Sequence, residues 1–449
     1  MDFETEALAA RLGAQLIAPS GGDGRPPSLT GLAIDSRALV PGQLFAALTD
    51  ERDGHDFVAD ARVAGAPVVL VDHQVDDGWS IVVDDVPRAL ADLARIARRE
   101  LGDLVVGVTG SVGKTTTKDL LGSVLSKRFS TSVSVRSFNN ELGVPLTLAN
   151  APTGTEAVVV EMGARGHGHI ALLCAMASPT VGIVTAVHAV HTEVMGGEDS
   201  IAVAKRELVE ALPKEGLAVL NADDPRVIAM AGHTAAEVLS FAVAAPGEGA
   251  AAGDVRAVDV SVDEELRPRF MLESPWGRAE VQMGARGVHN VANALAAAAA
   301  GLWSGVAPAD VAEALGEPID SPWRMELGRS RGGLVVLNDA YNAGPASMAA
   351  ALRSLASLPA TRRIAVLGVM AELGDREAAE HGRIADLAGQ LGIEVLAVGT
   401  DMYRTEPVAD AGAALVRLAE SADLTEGTAV LVKGSRVAGL ESVAAGLLR

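Results

Sequence analysis

The sequence predicts an α/β protein of three domains, and three observations carry that prediction. Short β-branched runs alternate with helical patterns over most of the chain, the arrangement of mainly parallel sheets covered by helices. The alternation divides near residue 102, where a helical stretch gives way to a new strand, and again at Gly316-Glu-Pro-Ile-Asp-Ser-Pro-Trp-Arg324, a segment with two prolines. At 449 residues the chain also exceeds what one hydrophobic core usually organises. The expected domains are therefore 1–102, a small α/β unit; 103–317, a parallel-sheet unit; and 318–449, a second, Rossmann-like doubly wound unit.

Composition narrows the function. Apolar residues make up 49% of the chain, ample for several cores. The formal net charge of −21, with 37 basic against 58 acidic residues, excludes a general nucleic-acid or membrane-surface binder, because phosphate backbones demand the opposite sign. Any anionic ligand must be captured locally. The single cysteine, Cys174, rules out an intrachain disulfide and suits a reducing cytoplasm. Set in the apolar stretch Ile170 to Met176, it reads as core and not as nucleophile. The opening MDFETEALAARLGAQLIA is acidic and helical in pattern, neither a signal peptide nor a membrane anchor. No run reaches the roughly 18 apolar residues a spanning helix needs. A cytoplasmic protein, and a monomer, is the expectation.

In the first unit, Leu29 to Ile34 and Leu44 to Leu48 alternate as strands, and Val68 to Val71 and Ile81 to Val83 are short β-branched runs. Leu90, Leu93, Ile96 and Leu101 mark one face of a helix. Asp35-Ser36-Arg37 lies between the first two strands, and Asp53-Gly54-His55-Asp56-Phe57 follows the second. Both stretches are turn-rich and read either as solvated turns or as loops that hold a ligand.

The second unit opens on the stretch around which the chain is organised. Val105 to Val108 is a buried-strand pattern that runs into Thr109, Gly110, Ser111, Val112, Gly113, Lys114, Thr115 and Thr116. The glycines let backbone N–H groups approach an anion, Lys114 neutralises phosphate charge, Thr115 offers a hydroxyl to a magnesium ion, and the following helix turns its positive end to the same place. The match is G-x-x-G-K-T, shorter than the usual fingerprint because Val108 stands where its first glycine would be. Further strands are expected at Val158 to Val160, Val181 to Ala186, Leu217 to Leu220 and Val238 to Ala242. Strict alternation on either side of Pro275-Trp276-Gly277 predicts an antiparallel hairpin on the sheet edge. An alanine-rich helix, Val288 to Trp303, and a shorter one after Pro308 complete the unit.

Beyond the linker, strands at Leu334 to Leu337, Ile364 to Leu367, Val395 to Val398 and Ala429 to Val432 alternate with helices, the first starting at Pro345. Their ends, at Asn338-Asp339, Gly368, Gly399 and Lys433-Gly434, are where such sheets take ligands.

Several polar residues could carry chemistry. Glu161 ends a strand near the phosphate loop, where an acid either holds magnesium or caps the next helix. His188 and His191 follow the next strand, and an imidazole is a plausible metal ligand. Lys205 lies in the helical pattern Ile201 to Val209; a charged lysine is no metal ligand, and on pattern alone it reads as a solvated helix residue.

The set TGSVGKTTTK, NNELGVPLTL (139–148), EMGARGHGHI (161–170), HTE…AKREL (191–208), GVHNVANALAAA (287–298), NDAYNAGPASM (338–348), VLGVMAELG (366–374) and VLVKGSR (430–436) resembles the Mur ligase family, in order and across essentially the whole chain. The D-x-Y-N-A-x-P-x-S-M run is similar to the branch that adds D-alanyl-D-alanine to UDP-N-acetylmuramoyl-tripeptide in peptidoglycan synthesis. The resemblance implies an ATP-dependent amide ligase that passes through an acyl phosphate, with two magnesium ions. By it, Lys114 and the loop amides hold the β- and γ-phosphates, and Thr115 with Glu161 holds one magnesium. His191 and a carbamoylated Lys205 belong to a second. Asn139 and Asn140 fall near the γ-phosphate and acyl group; His289, Asn290 and Asn293 near adenine; Arg324 and Asp339 near the phosphates and ribose. Asp35, Ser36, Arg37 and His55 fall in the loops that take UDP, and Lys433, Ser435 and Arg436 on the dipeptide side. The chain departs from the family pattern in Arg206, Gly344 and Thr49-Asp50. Two other readings remain open: another Mur-type or folylpolyglutamate-like ligase, or a phosphate-loop switch that makes no bond.

Overall fold

The structure, a computed structural model, describes the chain except for residues 21–23, 76–77, 189–196, 244–252, 320, 421–423 and 425. Three sheets organise it. The first contains β1 (Gln15–Ile17), β2 (Leu32–Ala33), β3 (Leu44–Ala46), β4 (Val68–Val71) and β5 (Trp79–Val82), ordered β1-β5-β4-β3-β2. All neighbours are parallel except β1, which runs antiparallel to β5. The helical reading of the first 18 residues holds only for Thr5–Arg11. Gly13, at φ +63°, then turns the chain into β1, whose partner β5 lies far along the sequence and invisible to local periodicity. The strand expected from Leu29 shrinks likewise, because Leu29 bridges to Phe3 and regular pairing begins at Leu32. Helix Val86–Arg98 starts where Asp85 accepts from Arg88 N–H at 2.9 Å, and it buries Leu90 and Leu93.

The second sheet has nine strands: β6 (Leu104–Thr109), β7 (Thr131–Val133), β8 (Ala157–Glu161), β9 (Val181–Val184), β10 (Leu217–Asn221), β11 (Glu237–Ala242), β12 (Val255–Val262), β13 (Pro268–Ser274) and β14 (Gly277–Gln282). Their order is β14-β13-β12-β11-β10-β9-β6-β8-β7. β6 lies between β8 and β9, parallel to both. The chain thus goes to one side of β6 and then to the other, so the loop leaving β6 opens into the crevice where strand order reverses. The hairpin on either side of Pro275-Trp276-Gly277 is present as β13–β14, and β13 also pairs antiparallel with β12.

The third sheet holds β15 (Glu326–Arg329), β16 (Val335–Asn338), β17 (Arg362–Leu367), β18 (Glu394–Ala397) and β19 (Thr428–Lys433), ordered β15-β16-β19-β17-β18, with β15 alone antiparallel. Helix Pro345–Ser357 begins at its proline, and Ser347 Oγ accepts from Gly344 N–H at 3.1 Å.

The seams between domains differ. One apolar cluster runs from Leu29, Leu70 and Leu90 of the first domain through Val144, Val160 and Leu208 of the second. Asn150 reinforces it: its amide accepts from Leu32 N–H at 3.0 Å and donates to Leu32 C=O at 2.8 Å, as a neighbouring strand would. Between second and third domains the chief apolar tie is Leu266, from the β12–β13 turn, buried with Met325 and Leu337. Among the described residues no helix is long and apolar enough to cross a membrane.

Candidate active site

The loop after β6 is shaped by contacts that leave no room for side chains. Gly110 sits at φ +153°, and a Cβ there would lie 1.8 Å from Thr185 Oγ1; Gly113 sits at φ +82°, and a Cβ there would lie 2.2 Å from Asn293 Oδ1. Thr185 Oγ1 donates to Val112 C=O at 2.6 Å, and Ser111 Oγ donates to His188 C=O at 2.9 Å. The loop is therefore fixed by β9's extension on one side and by helix Asn290–Trp303 on the other. Thr109 Oγ1, at the loop's entrance, is buried without a hydrogen-bond partner among the described residues.

Helix Lys114–Ser126 presents Lys114 and Thr115 at its first turn. Lys114 Nζ donates to Gly110 C=O at 2.9 Å. Desolvation lowers the Lys114 pKa; Glu161 opposes that shift and Arg324 adds to it. Thr115 Oγ1 donates to Glu161 Oε2 at 2.8 Å, while Asn139 Nδ2 donates to Glu161 Oε1 at 2.8 Å. Glu161, 1% exposed, is thus held at both oxygens at the end of β8. It does not cap the next helix, His169–Ala177, whose N-cap is Gly168, which removes the alternative the sequence left open.

The third domain reaches this group. Arg324 Nη2 donates to Thr115 Oγ1 at 2.9 Å, and its guanidinium lies 4.2 Å from the centre of the Tyr341 ring. Tyr341 OH in turn donates to Ser137 Oγ at 2.7 Å, and Ser137 Oγ lies 3.2 Å from Thr115 Oγ1. Ser321 adds a bond to Asp119 of the same helix. Nothing in the sequence alone assigns a role to Ser137, Tyr341 or Ser321. Tyr341 lies in the NDAYNAGPASM run and Ser137 two residues before Asn139, so proximity to assigned residues is the available signal.

Lys205 overturns the reading from helical pattern alone. It is 4% exposed, not a solvated helix residue. Burial pulls its pKa well below the usual lysine range, and the nearby Lys114 ammonium pushes the same way. It shares a buried face with Ile201 and Leu208, at spacings of four and three, and that spacing was readable. Among the described residues no carboxylate pairs with it. His191 lies outside the described residues.

The other candidates fall into separate groups. Asn290 and Asn293 bond to each other at 2.7 Å, and Thr117 Oγ1 donates to Asn293 Oδ1 at 3.3 Å. His289 is exposed, yet protein crowds it enough that desolvation lowers its pKa; Asp339 opposes the shift and Lys433 adds to it. Thr116 is buried in the helix's first turn. Asn140 Oδ1 accepts from Gly143 N–H at 3.0 Å, so its side chain starts helix Gly143–Ala149. Asp339 pairs with Lys433 and accepts from Met325 N–H at 3.2 Å. Lys433 is 2% exposed, its ammonium taken up by Asp339 and by Asn342 C=O at 3.0 Å. Ser435 Oγ accepts from Ala371 N–H at 3.0 Å; Arg436 is exposed, 4.4 Å from the Trp323 ring centre. In the first domain Arg37 clasps Asp35 through two bonds of 2.9 and 2.8 Å, with Ser36 half-buried between them, and His55 bonds to Asp53. These residues do not join the cleft group. Burial pushes the Cys174 thiol up to about 12, which fits a core residue.

Residues 108–301 match the Mur ligase middle domain, and residues 323–436 match the Mur ligase, glutamate ligase domain. The UDP-N-acetylmuramoyl-tripeptide--D-alanyl-D-alanine ligase of Mycobacterium tuberculosis (strain ATCC 25618 / H37Rv) is 40% identical over 92% of this chain and 91% of its own. That of Escherichia coli (strain K12) is 34% identical over 93% of each. A crystal structure of MurF from Acinetobacter baumannii superposes with a TM-score of 0.87 at 29% identity, covering 100% of this chain and 99% of that one. MurF from Thermotoga maritima in complex with ADP gives 0.76 at 26% identity, covering 93% and 96%. With both halves of the cleft matched and relatives aligned almost end to end, the chain belongs to the Mur ligase family.

Proposed function

We propose that the chain is a cytoplasmic ATP-dependent ligase joining D-alanyl-D-alanine to UDP-N-acetylmuramoyl-tripeptide, with domains 1–102, 103–317 and 318–449. The observation that carries this reading is the Lys114, Thr115 and Glu161 group at the ends of β6 and β8, with Arg324 reaching it from the third domain. Two anions must meet for the reaction, so positive charge at the γ-phosphate is the main requirement. Lys114 and the amides of residues 110–116 hold the β- and γ-phosphates of ATP. The substrate carboxylate attacks the γ-phosphorus and displaces ADP, giving an acyl phosphate. The dipeptide amine then adds to the acyl carbon, and the tetrahedral intermediate collapses with loss of phosphate. Asn139 keeps Glu161 oriented, His289, Asn290 and Asn293 border the adenine, and Asp339 lies toward the ribose. Asp35, Ser36 and Arg37 face the UDP moiety, and Ser435 and Arg436 the dipeptide; the His55 ring, tied to Asp53 and directed at Asp72, takes no part in holding UDP. Lys433 contributes by holding Asp339.

The donor set fits magnesium. A hydroxyl and a carboxylate oxygen 2.8 Å apart are hard ligands of the kind that ion prefers. Thr115 and Glu161 would hold one ion, His191 and Lys205 a second, and the bound ions would neutralise phosphate charge. Lys205 fits that role only once its amine has taken up carbon dioxide. A buried lysine with no carboxylate paired to it among the described residues, and with a depressed pKa, supplies the neutral amine that carbamoylation needs. Lys205→Ala is expected to lose at least about 100-fold in rate, in the range of deleting one transition-state stabiliser, with partial rescue by a short carboxylic acid in the buffer. A wild-type rate in the unsupplemented variant would end the carbamate reading.

The deciding measurement is phosphate release from ATP with magnesium and UDP-N-acetylmuramoyl-tripeptide. Release should require D-alanyl-D-alanine; release indifferent to it would sink the ligase reading in favour of a switch. Single amino acids in its place separate this activity from other Mur-type ligases.

A further inference from the structure

Away from the cleft, the first domain brings together His55, from the turn after β3, and Asp72 and His73, which directly follow β4. β3 and β4 are parallel neighbours, so their carboxyl ends carry the two loops side by side. One ligand atom from each residue lies within 4.8 Å of the others. His55 Nε2 is 3.3 Å from Asp72 Oδ1, and His73 Nδ1 is 2.6 Å from the same oxygen. Donors bound at about 2.0–2.1 Å around a tetrahedral ion stand about 3.3 Å apart. The His55–Asp72 edge already has that spacing. The His73–Asp72 edge must open by about 0.7 Å to reach it, a small movement for an exposed side chain.

The tautomer of His55 is arranged as well. Its Nδ1 lies 2.6 Å from Asp53 Oδ1, and the same oxygen accepts from the His55 backbone N–H at 3.0 Å. The Asp53 carboxyl thus stands behind Nδ1 and keeps the proton there. The Nε2 lone pair is left facing Asp72, engaged only by the Asp72 backbone N–H at 3.4 Å. A carboxylate behind one ring nitrogen is the usual support of a histidine that binds metal through the other. The His55 side chain is 7% exposed, which holds its ring in place, and the His73 ring stacks on it with centres 4.1 Å apart.

We propose that His55, Asp72 and His73 form a binding site for a divalent transition ion of the zinc class, with Asp53 supporting His55. Two imidazoles and a carboxylate suit Zn²⁺, Co²⁺ or Ni²⁺ better than Mg²⁺, which prefers oxygen donors such as the Thr115 and Glu161 pair. Three protein ligands leave a fourth position for water or an oxyanion.

The test uses the full chain, stripped with a chelator, and the metal alone. Zn²⁺ is titrated against a chromophoric competitor, and Co²⁺ binding is followed by visible absorption. The wild type should bind one more Zn²⁺ than His73→Ala or Asp72→Asn, and the Co²⁺ bands should vanish in both variants. Equal stoichiometry and affinity in wild type and variants overturns the proposal. So does Zn²⁺ binding that Glu161→Gln abolishes and His73→Ala preserves, because the ion then sits in the cleft. Should both variants misfold, the imidazole resonances of wild-type His55 and His73 are read during the titration: shifts complete at one equivalent support the site, and unchanged signals overturn it.

Discussion

The seam between the first and second domains and the seam between the second and third are built from different materials. At the first seam the two domains share one apolar cluster, and Asn150 copies the hydrogen bonding of a strand edge. At the second, apart from Leu266, the contacts around the helix that follows the β6 loop are polar and cationic: Arg324 on Thr115, Tyr341 on Ser137, Ser321 on Asp119. Apolar burial is stabilising whatever is bound, whereas cation–hydroxyl contacts compete with water and ligands. The first seam is therefore expected to hold whatever is bound, and the second to answer to ligand.

The largest expected effect tests the first seam. Leu90→Ala should lower stability by about 2–5 kcal/mol, the usual loss for a buried leucine, with activity per folded molecule retained. Denaturant unfolding monitored beside turnover checks it; loss of activity without loss of stability would break the comparison. Arg324→Ala should do the reverse, cutting turnover by about 100- to 1,000-fold while stability changes by less than about 1 kcal/mol. A smaller effect concerns pH. The His289 pKa is lowered from 6.5 where the second and third domains meet, so the unfolded chain binds more protons than the folded one just below pH 6.5. Stability from this group is complete above that value and is lost as pH falls toward the lowered pKa. The melting temperature should therefore drop less between pH 7 and acid in His289→Gln than in the wild type; equal drops would remove His289 from this account. The smallest effect is expected of Tyr341→Phe, which keeps the ring under Arg324 and removes only the bond to Ser137. That variant should lose about 0.5–1.5 kcal/mol of transition-state stabilisation, a several-fold fall in kcat/KM.

What could be read from the sequence follows from the range of the interactions. The β6 loop, the strand ends at Glu161 and Asp339 and the proline start at Pro345 are local signals, and each appears where its residues predicted. β1, β7 and β15 went unread because each is only three or four residues long and owes its pairing to a partner the local pattern does not show. On helical pattern alone Lys205 reads as solvated because charge outweighs periodicity, although its spacing from Ile201 and Leu208 places it on the buried face; the family resemblance sets it in the site instead. Ser137 and Tyr341 matter only because two domains meet, and no local pattern encodes a meeting. The His55, Asp72 and His73 group was half visible: the loop at 53–57 was noted, while Asp72 and His73 required the adjacency of β3 and β4.

The ends of the nine-stranded sheet carry one further consequence. β14, at one end, turns Arg278, Glu280 and Gln282 to solvent, with Arg278 bonded to Glu273 at 2.9 Å and Arg269 to Glu280 at 2.7 Å across the β13–β14 pair. β7, at the other end, is only three residues long. A strand from another molecule would have to strip water from those charges or settle for three residues of pairing. A sheet of this width could otherwise template its own polymerisation, and these two borders guard the chain against edge-to-edge aggregation.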